Sequence, residues 1–470
     1  MREGRAIPPP GHRRGAAHPN RKRNDRREVM DKLLKSLAGK VDQAEVYRLS
    51  GRAVPVNFRS GKLESIKSHA IDGIALRVIV NGRLGFATST DLSDPSELIA
   101  AALDSAKFGE PAEFSFAADT TPVQADVYDE GTAAVPEERL IELGEKAIAA
   151  ITRVDPSADV GVSITREVET VTILNTNGLE LTEQRTTISG GIELSKAQTG
   201  DIFMLFDGTQ ARYFSEFDMD RLVDGLIRYL EYGKEIVTVK SGTMPVVFTP
   251  NGTLALLLPL MMGFNGKSVY MGTSPLKGRV GEKAFDARFS LTDDGTIPRG
   301  PHSSGFDDEG TATMRTPLAE EGVIAGFIYD RRTAALAGVE PTGNGYKSGL
   351  FGGGGFRTPP GPGASNVIVS PGDIPEEELI SGIEHGLLVE SVLGLGQGNL
   401  ASGEFSNNVA VAFKIENGKI VGRVKNTMIA GNSYELLKDH LIGLGKETRF
   451  VHGTLSTPMI AVDNVNVVGG

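Results

Sequence analysis

Residues 74–86 read IALRVIVNGRLGF, which is the pattern of a β-hairpin with a buried face. Every second residue from Ile74 to Val80 is large and apolar, as in a strand whose alternate side chains enter a core. Asn81-Gly82 follows, a pair typical of type I′ turns because both residues tolerate positive φ. We therefore predict two antiparallel strands joined at this turn, with the second continuing to Phe86.

The sequence on both sides of this hairpin mixes strand and helix patterns. Helices are indicated by apolar residues at spacings of three and four, or by capping sequences such as Asp94-Pro95-Ser96-Glu97. The predicted helices begin near Met30, Asp94, Pro136 and Leu222, and the predicted strands include 54–58, 160–165 and 168–174, the last followed by an Asn177-Gly178 turn. Residues 30–238 are therefore predicted to form an α+β domain with meandering strands and helices on one face.

The second half has a different composition, with more glycine and proline and shorter strand patterns. Residues 351–363 form a long Gly- and Pro-rich loop, of a length that is usually functional or disordered. Predicted elements are helices over 252–263, 375–386 and 433–445 and a hairpin at Asn417-Gly418. The predicted fold class is α+β with two domains. Residues 239–470 form the second, a mostly-β domain with a few helices and long Gly/Pro-rich loops.

Charge separates the first 29 residues from the rest of the chain. Residues 1–29 hold nine basic and three acidic residues, a net charge of +6, which leaves −17 on the other 441 residues. An acidic body disfavours nucleic-acid binding, which needs clustered Lys and Arg. We interpret residues 1–29 as a disordered basic arm that results from a mis-assigned start or an added extension, with Met30 the native start. The alternative is an arm that contacts nucleic acid.

The inventory of reactive residues excludes several kinds of site. The 470 residues include no cysteine, so thiolate nucleophiles, disulfides and sulfur-ligated metals are excluded. The longest apolar run, 254–264, is shorter than the roughly 20 residues that a membrane span needs, so we expect a soluble protein. Beyond the basic arm the five histidines, which include His302 and His385, are widely spaced and form no HExxH or HxH motif. No Gly-x-Ser-x-Gly motif is present either.

Two Gly-rich loops and one acidic block have both a functional and a structural interpretation. Glycines near Arg357, and the sequence Gly394-Leu-Gly396-Gln397-Gly398, can bring backbone N–H groups close to an anion. Neither loop has a P-loop or dinucleotide-binding context, so we favour tight turns. Asp307-Asp308-Glu309-Gly310 can bind a hard cation through oxygen, but its spacing is not that of a calcium loop. We favour a structural turn fixed by an arginine.

Several motifs, in order, resemble the TldD/PmbA family from about residue 42 to the C-terminus. They are Phe306–Gly310, Glu321–Ile324, Asp330–Ala334, Thr342–Gly345, Ser402–Ser406, Ile415–Gly418 and Ala430–Asn432. That family has two branches. The TldD branch carries His-Glu-x-x-x-His on a helix of the C-terminal domain, plus a distant Cys, and is a zinc peptidase. The PmbA branch, also called TldE, lacks the motif and partners the first.

Residues 278–282 resemble the block that follows the zinc helix, and this places the ligand positions approximately on Leu257, Leu258 and Met262. Residues 236–281 contain no His, Asp, Glu or Cys. Hydrocarbon and thioether side chains cannot supply the nitrogen and oxygen donors that zinc requires. The resemblance therefore implies the PmbA branch, with no catalytic residue, metal ligand or cofactor in this chain.

The leading hypothesis from this resemblance is a non-catalytic subunit of a cytoplasmic zinc metallopeptidase assembly. Its expected partner is a TldD-type subunit that holds the zinc, its substrate a peptide or unfolded polypeptide, and a homodimer is compatible with the sequence. Candidate channel or interface residues, on loops too Gly-rich for core packing, are Gly353, Gly354, Arg357, Gly396, Gln397, Asn399, Ser402, Glu404 and Phe405.

Two other hypotheses remain open. One is a self-sufficient hydrolase with a dispersed site built on the acidic block (Asp307, Asp308 and Glu309) with His302 and His385. The other is a gyrase-associated regulatory protein, which the charge of −17 outside the basic arm disfavours as a direct DNA binder.

Overall fold

The structure is a computed structural model that describes residues 19–91, 93–198, 201–347, 355–396 and 399–470. It is strand-rich and mixed with helices, which confirms the predicted α+β fold class. Its strands form two large sheets, one built from residues 43–211 and the other from residues 236–468.

The first sheet has seven strands, all paired antiparallel. They are β1 (Gln43–Arg59), β2 (Lys62–Ile66), β3 (His69–Val80), β4 (Arg83–Ser89), β5 (Asp159–Asn175), β6 (Glu180–Gln198) and β7 (Asp201–Ala211). The strand order is β4-β3-β1-β5-β6-β7, with β2 against β1, so β4 and β7 are the edges. The predicted hairpin is confirmed: Val80 pairs with Arg83, and Asn81 and Gly82 have φ of 50° and 69°.

In the part of the chain that the structure describes, five α-helices accompany this sheet: α1 (Pro19–Leu37), α2 (Ser96–Ala106), α3 (Glu130–Ala134), α4 (Glu137–Val154) and α5 (Met219–Tyr232). The long ones pack on one face, as predicted. Helices α1 and α2 cover the even-numbered residues of β1 and β3, such as Val46 and Leu76. Helices α4 and α5 cover β5, β6 and β7 through residues such as Leu140 and Leu226. Apolar burial at helical spacing accounts for this arrangement.

Helix α1 begins earlier than its apolar pattern indicated. It starts at Pro19, so residues 19–29 are helical where the sequence predicted a disordered arm. The helical spacing of apolar residues starts only at Met30, and three of them, Met30, Leu33 and Leu37, are buried against β1 and β3. The residues before Met30 are mostly polar and show no apolar spacing, which is why periodicity did not detect this part of the helix.

The second sheet has twelve strands in the order β12-β11-β10-β15-β21-β9-β16-β17-β18-β8, with β19 against β17 and β21, and β20 against β21. The strands, with the separate pair β13–β14, are β8 (Ile236–Val237), β9 (Gly242–Phe248), β10 (Leu291–Asp294), β11 (Arg315–Glu320), β12 (Val323–Ile324), β13 (Gly345–Tyr346), β14 (Gly361–Pro362), β15 (Val367–Val369), β16 (His385–Leu393), β17 (Glu404–Glu416), β18 (Lys419–Val424), β19 (Met428–Asn432), β20 (Leu441–Val451) and β21 (Leu455–Val468). The Asn417-Gly418 hairpin between β17 and β18 is confirmed.

The helices of this half are α6 (Thr253–Gly263), α7 (Gly266–Met271), α8 (Arg331–Ala337), α9 (Glu376–Ser381) and α10 (Ser433–Asp439). Helix α6 matches its predicted range. The helices predicted over 375–386 and 433–445 are shorter than predicted, because strands β16 and β20 begin at His385 and Leu441. Pairing with β17 and with β21 decides these boundaries, and periodicity in a short window does not register such long-range pairing. No helix in the described ranges is long and apolar enough to cross a membrane.

The other face of the first sheet packs against segments from the second half of the chain. Phe306 and Phe356 are buried there against Tyr47, Ala75 and other residues of the odd-numbered face. Phe356 lies so close to Gly73 that a Cβ at this glycine would be 2.2 Å from its ring. The two halves therefore share a buried contact.

Candidate functional site

Helix α6 is apolar on almost every side and is enclosed by the core of the second half. Leu257 and Leu258 are buried, and Pro259 lies within the helix. Tyr434 of α10 donates its hydroxyl to the Pro259 carbonyl at 3.3 Å. Of the three positions aligned with zinc ligands, Met262 alone is substantially exposed, at 40%. The two leucines thus point into the protein.

A metal ion does not fit the residues at this helix. Its side chains offer carbon and thioether sulfur, whereas zinc is held by imidazole, carboxylate or thiolate. Across the described ranges, no three His, Asp or Glu side chains are grouped so that they could hold a metal. We therefore derive no chemical step through a metal in this chain.

A cavity of about 890 Å³ lies beside the exposed side of α6. We call it the helix cavity. Apolar side chains from α6, α7 and the start of β21 form much of its wall, and polar side chains occur at intervals. They include Leu254, Met261, Met262, Lys267, Met271, His302, Ile328, Leu395, His452 and Leu455.

A second cavity of about 730 Å³ continues from the first and lies between strand β7 and the second sheet. We call it the strand cavity. Its walls include Ile202, Met204, Phe206, Thr209, Ser391, Val392, Leu393, Val409 and Phe450. The residues lining both cavities are Gln210, Leu254, Leu395, His452 and Gly453. Together the two cavities form one groove between the two halves of the chain.

A polar network lies just before α6 begins, at Asn251. Asn251 donates from Nδ2 to Glu390 Oε1 at 2.7 Å and to Asp207 Oδ1 at 3.1 Å. Arg449 donates to Asp207 Oδ2 at 2.6 Å. The His452 imidazole donates from Nε2 to the Asn251 carbonyl at 3.1 Å, which fixes its tautomer. Burial raises the pKa of Glu390, which Arg449 and the hydrogen bonds from Thr249 and Asn251 oppose, and desolvation lowers the pKa of His452.

His302 lies in the wall of the helix cavity, and its pKa is lowered to about 4. Desolvation is the main cause, and the nearby charges of Arg212 and Arg185 add to it. The imidazole is therefore neutral at pH 7. It stands close to Gly453, whose Cβ position would be 3.3 Å from His302 Nε2.

The lowered pKa of His302 predicts part of the acid sensitivity of folding. As pH falls below 6.5, the unfolded chain takes up a proton at His302 that the folded chain accepts only near pH 4. Because the His302 side chain is exposed to the groove, solvent limits the effect: we expect stability to fall by less than about 1 kcal/mol through this window, and His302→Gln to lose less stability than the wild type. Urea unfolding at pH 7 and pH 5 measures the difference. Equal losses for both proteins would contradict the assignment.

The acidic block of the sequence forms a buried turn at the contact between the two halves. Asp307 accepts the backbone N–H of Thr311 at 2.8 Å and that of Gly345 at 2.8 Å. Asp308 accepts the backbone N–H of Lys347 at 2.8 Å. These bonds are the ones expected of a structural turn.

Glu309 continues this turn into the first sheet through an ion pair with Arg77 of β3. The distance from Arg77 NH1 to Glu309 Oε1 is 2.7 Å, and Arg77 also binds Glu45 Oε1 at 2.9 and 2.6 Å. All three side chains are buried. Arg77 also lies 5.0 Å from the centre of the Phe116 ring.

The residues of the proposed dispersed hydrolase site have different surroundings. His302 lies in the groove, the acidic block is bonded to backbone amides and Arg77, and His385 is exposed at the start of β16. His385 Nε2 lies 3.9 Å from Oε1 of its neighbour Glu384.

The predicted channel residues also fall in different places. Gly353, Gly354 and Gln397 lie outside the described residues. Phe405 is buried in the core against Phe248, which separates it from solvent. Arg357 is exposed beside Phe356, on the contact with the first sheet. Asn399 precedes a 3₁₀ turn that ends at Ser402, Glu404 is the first residue of β17, and Gly396 lies before the turn with φ of 91°. A role for these residues as channel walls stays a prediction.

Sequence reasoning missed the apolar face of strand β7 and the two groove residues Gln210 and His452. A signal for the strand exists in residues 202–206, which read IFMLF. An edge strand with one solvated face should alternate apolar and polar residues, so five apolar residues in a row indicate that both faces have apolar surroundings. The histidine carries no such signal, because its partner Asn251 is distant in the sequence.

Comparison with known proteins places this architecture in one family. Three domain profiles of the PmbA/TldA metallopeptidases match in order: domain 1 over residues 44–107, the central domain over 130–238 and the C-terminal domain over 241–469. The chain belongs to the PmbA/TldD family. The resemblance found in the sequence is therefore confirmed at the level of the family.

Relatives within the PmbA/TldD family carry both branch names. The metalloprotease PmbA of Escherichia coli O157:H7 is 24% identical over 90% of this chain and 92% of its own length. A metalloprotease TldD homolog of Buchnera aphidicola subsp. Acyrthosiphon pisum is 26% identical over 66% of this chain and 68% of its own. The crystal structure of TldE from Thermococcus kodakarensis matches with a TM-score of 0.83 and 25% identity, over 94% of this chain and all of that one.

Proposed function

We propose that this chain is the non-catalytic, TldE-type subunit of a cytoplasmic zinc metallopeptidase assembly. In this assembly a TldD-type partner holds the zinc, and peptides or unfolded polypeptides are the substrates. The observation that carries the proposal is helix α6: residues 236–281 contain no side chain that binds zinc strongly. The similarity to a solved TldE structure over 94% of the chain supports the branch.

The environment of α6 supports a structural role for this helix. A catalytic zinc site keeps one coordination position open to water and substrate. Here Leu257 and Leu258 are buried, and the groove is bordered by Leu254, Met261 and Met262. Apolar walls of this kind can line a groove that holds a peptide. They cannot activate a water molecule for hydrolysis, because they supply neither a metal ligand nor a base.

Metal analysis and reconstitution test the proposed function. We expect the pure chain to hold far less than one zinc ion per molecule and to cleave no peptide. When mixed with a TldD-type protein, it should form a stable complex with peptidase activity. The matched control replaces the first His of the partner's motif by Ala, which should abolish that activity. Stoichiometric zinc with peptidase activity in this chain alone would refute the proposal.

A further inference from the structure

Strand β7 presents an apolar row to the strand cavity. Ile202, Met204 and Phe206 project from one face, and their exposed fractions are 66%, 53% and 66%. The alternate residues Phe203 and Leu205 are buried in the core beneath α5. Within the described sheet β7 is an edge strand, paired with β6. Single exposed apolar residues are common on protein surfaces, whereas several large ones together in a groove indicate an interaction site.

The opposite wall of the strand cavity continues this apolar surface. Leu393 at the end of β16 is exposed, and Val392 and Val409 lie next to it in the wall. Irregular pairing between β16 and β17 at Ser391 locally disrupts the ladder here. An extended segment between β7 and this wall would cover apolar side chains on both sides.

Gly453 keeps the strand cavity continuous with the helix cavity. It lines both, and its φ of 79° lies in the left-handed region that favours glycine. A Cβ at this position would lie 3.3 Å from His302 Nε2. Because Gly453 has no side chain to narrow the groove where the two cavities meet, the groove extends from β7 to the exposed side of α6.

The groove is almost without charge, in a chain of net charge −11. Among the described residues lining the two cavities, Glu193 and Lys267 carry full charges. His302 and His452 are exposed to the groove, and partial desolvation lowers the pKa of each below its usual value, so neither adds a full charge at pH 7. A charged polypeptide segment would lose its hydration in this groove and gain few oppositely charged side chains in return. The walls therefore favour an uncharged segment.

We infer that this groove binds an extended polypeptide segment with uncharged, apolar side chains at every second position. The exposed side chains of β7 recur with the two-residue period of a strand, which matches alternate side chains of a segment running beside it. Each cavity alone is as large as a typical small-molecule site, so the continuous groove suits several residues of a polymer. This inference deepens the proposed function and rests on it for the role of the groove in peptide processing.

Peptide binding by this chain alone tests the inference. The probe is a fluorescein-labelled, capped octapeptide of alternating leucine and serine, measured by fluorescence polarisation. We expect saturable binding, and no binding when aspartate replaces every leucine. Phe206→Ser, and likewise Met204→Ser, should weaken binding about tenfold, because each removes a large apolar contact. The matched control Phe108→Ser alters a side chain that is 90% exposed just after α2 and should leave binding unchanged.

Other outcomes overturn the inference. Equal affinity of the Phe206→Ser and Phe108→Ser proteins, with unfolding midpoints like the wild type, would place the peptide elsewhere. Dodecanoate binding without peptide binding would show that the groove takes an acyl chain. A homodimer that Phe206→Ser dissociates would show that a second copy covers the groove. Failure of complex formation with a TldD-type partner would refute the proposed function and leave peptide binding by the isolated chain as a separate result.

Discussion

Replacing Arg77 by methionine is expected to lower the free energy of unfolding by about 3–5 kcal/mol. The change removes the guanidinium that Glu45 and Glu309 share, so two buried carboxyl groups lose the cation that is hydrogen-bonded to them. Methionine keeps much of the side-chain volume, so the effect reports charge rather than a cavity. Because Glu309 belongs to the second half of the chain, contact between the halves should weaken as well. Urea unfolding monitored by circular dichroism gives the free energy.

An exposed arginine provides the matched control for Arg77. Arg299 pairs with Asp126 and Glu216 at 2.9 Å each, and its side chain is 44% exposed. Arg299→Met should cost no more than about 1 kcal/mol, as is usual for surface pairs. Adding Glu45→Gln and Glu309→Gln to Arg77→Met should recover part of the loss, because no unpaired charge then remains buried. If Arg77→Met and Arg299→Met cost the same, the buried triad does not hold the two halves together.

Replacing Leu258 by glutamate, the residue type of the aligned zinc motif, is expected to cost about 4 kcal/mol or more, or to prevent folding. The carboxylate would enter a closed apolar core. Zinc should not restore stability, since Leu257 and Leu258 are both enclosed by other side chains. Thermal unfolding with and without added zinc measures this.

Met262 provides the control on the same helix. Its side chain borders the groove, so Met262→Glu should change stability by less than about 1 kcal/mol. A Leu258→Glu protein that folds normally and gains stability from zinc would instead reveal a latent metal site. That result would also remove the main support for the proposed non-catalytic role.

Much of the local structure could be predicted because it depends on neighbouring residues. The Asn81-Gly82 turn needs only two residues with positive φ, and the helix from Glu137 to Val154 follows from its apolar spacing. Predictions failed where a distant strand decides the outcome. Residues 441–445, which the predicted helix included, form part of β20, because β21 offers them a hydrogen-bonding partner.

The candidate site divides in the same way. The missing zinc donors are evident from composition, whereas the groove needs the second sheet to be placed against β7. Phe203 and Phe206 illustrate the difference, since both are phenylalanines of one apolar run, yet one is in the core and the other lines the groove. Alternation identifies two faces, but it does not tell which face will meet a helix and which a cavity.

The amino-acid sequence by itself determined which zinc ligands the segment around α6 lacks: no folding of residues 236–281 can create an imidazole or a carboxylate where the side chains have none. Tertiary structure alone decided which of the remaining groups meet. Arg77 and Glu309 are 232 residues apart and become partners only when the two halves pack together. The physical reason is that bonding capacity belongs to each side chain, whereas burial, pairing and cavities arise from contacts between segments distant in the chain.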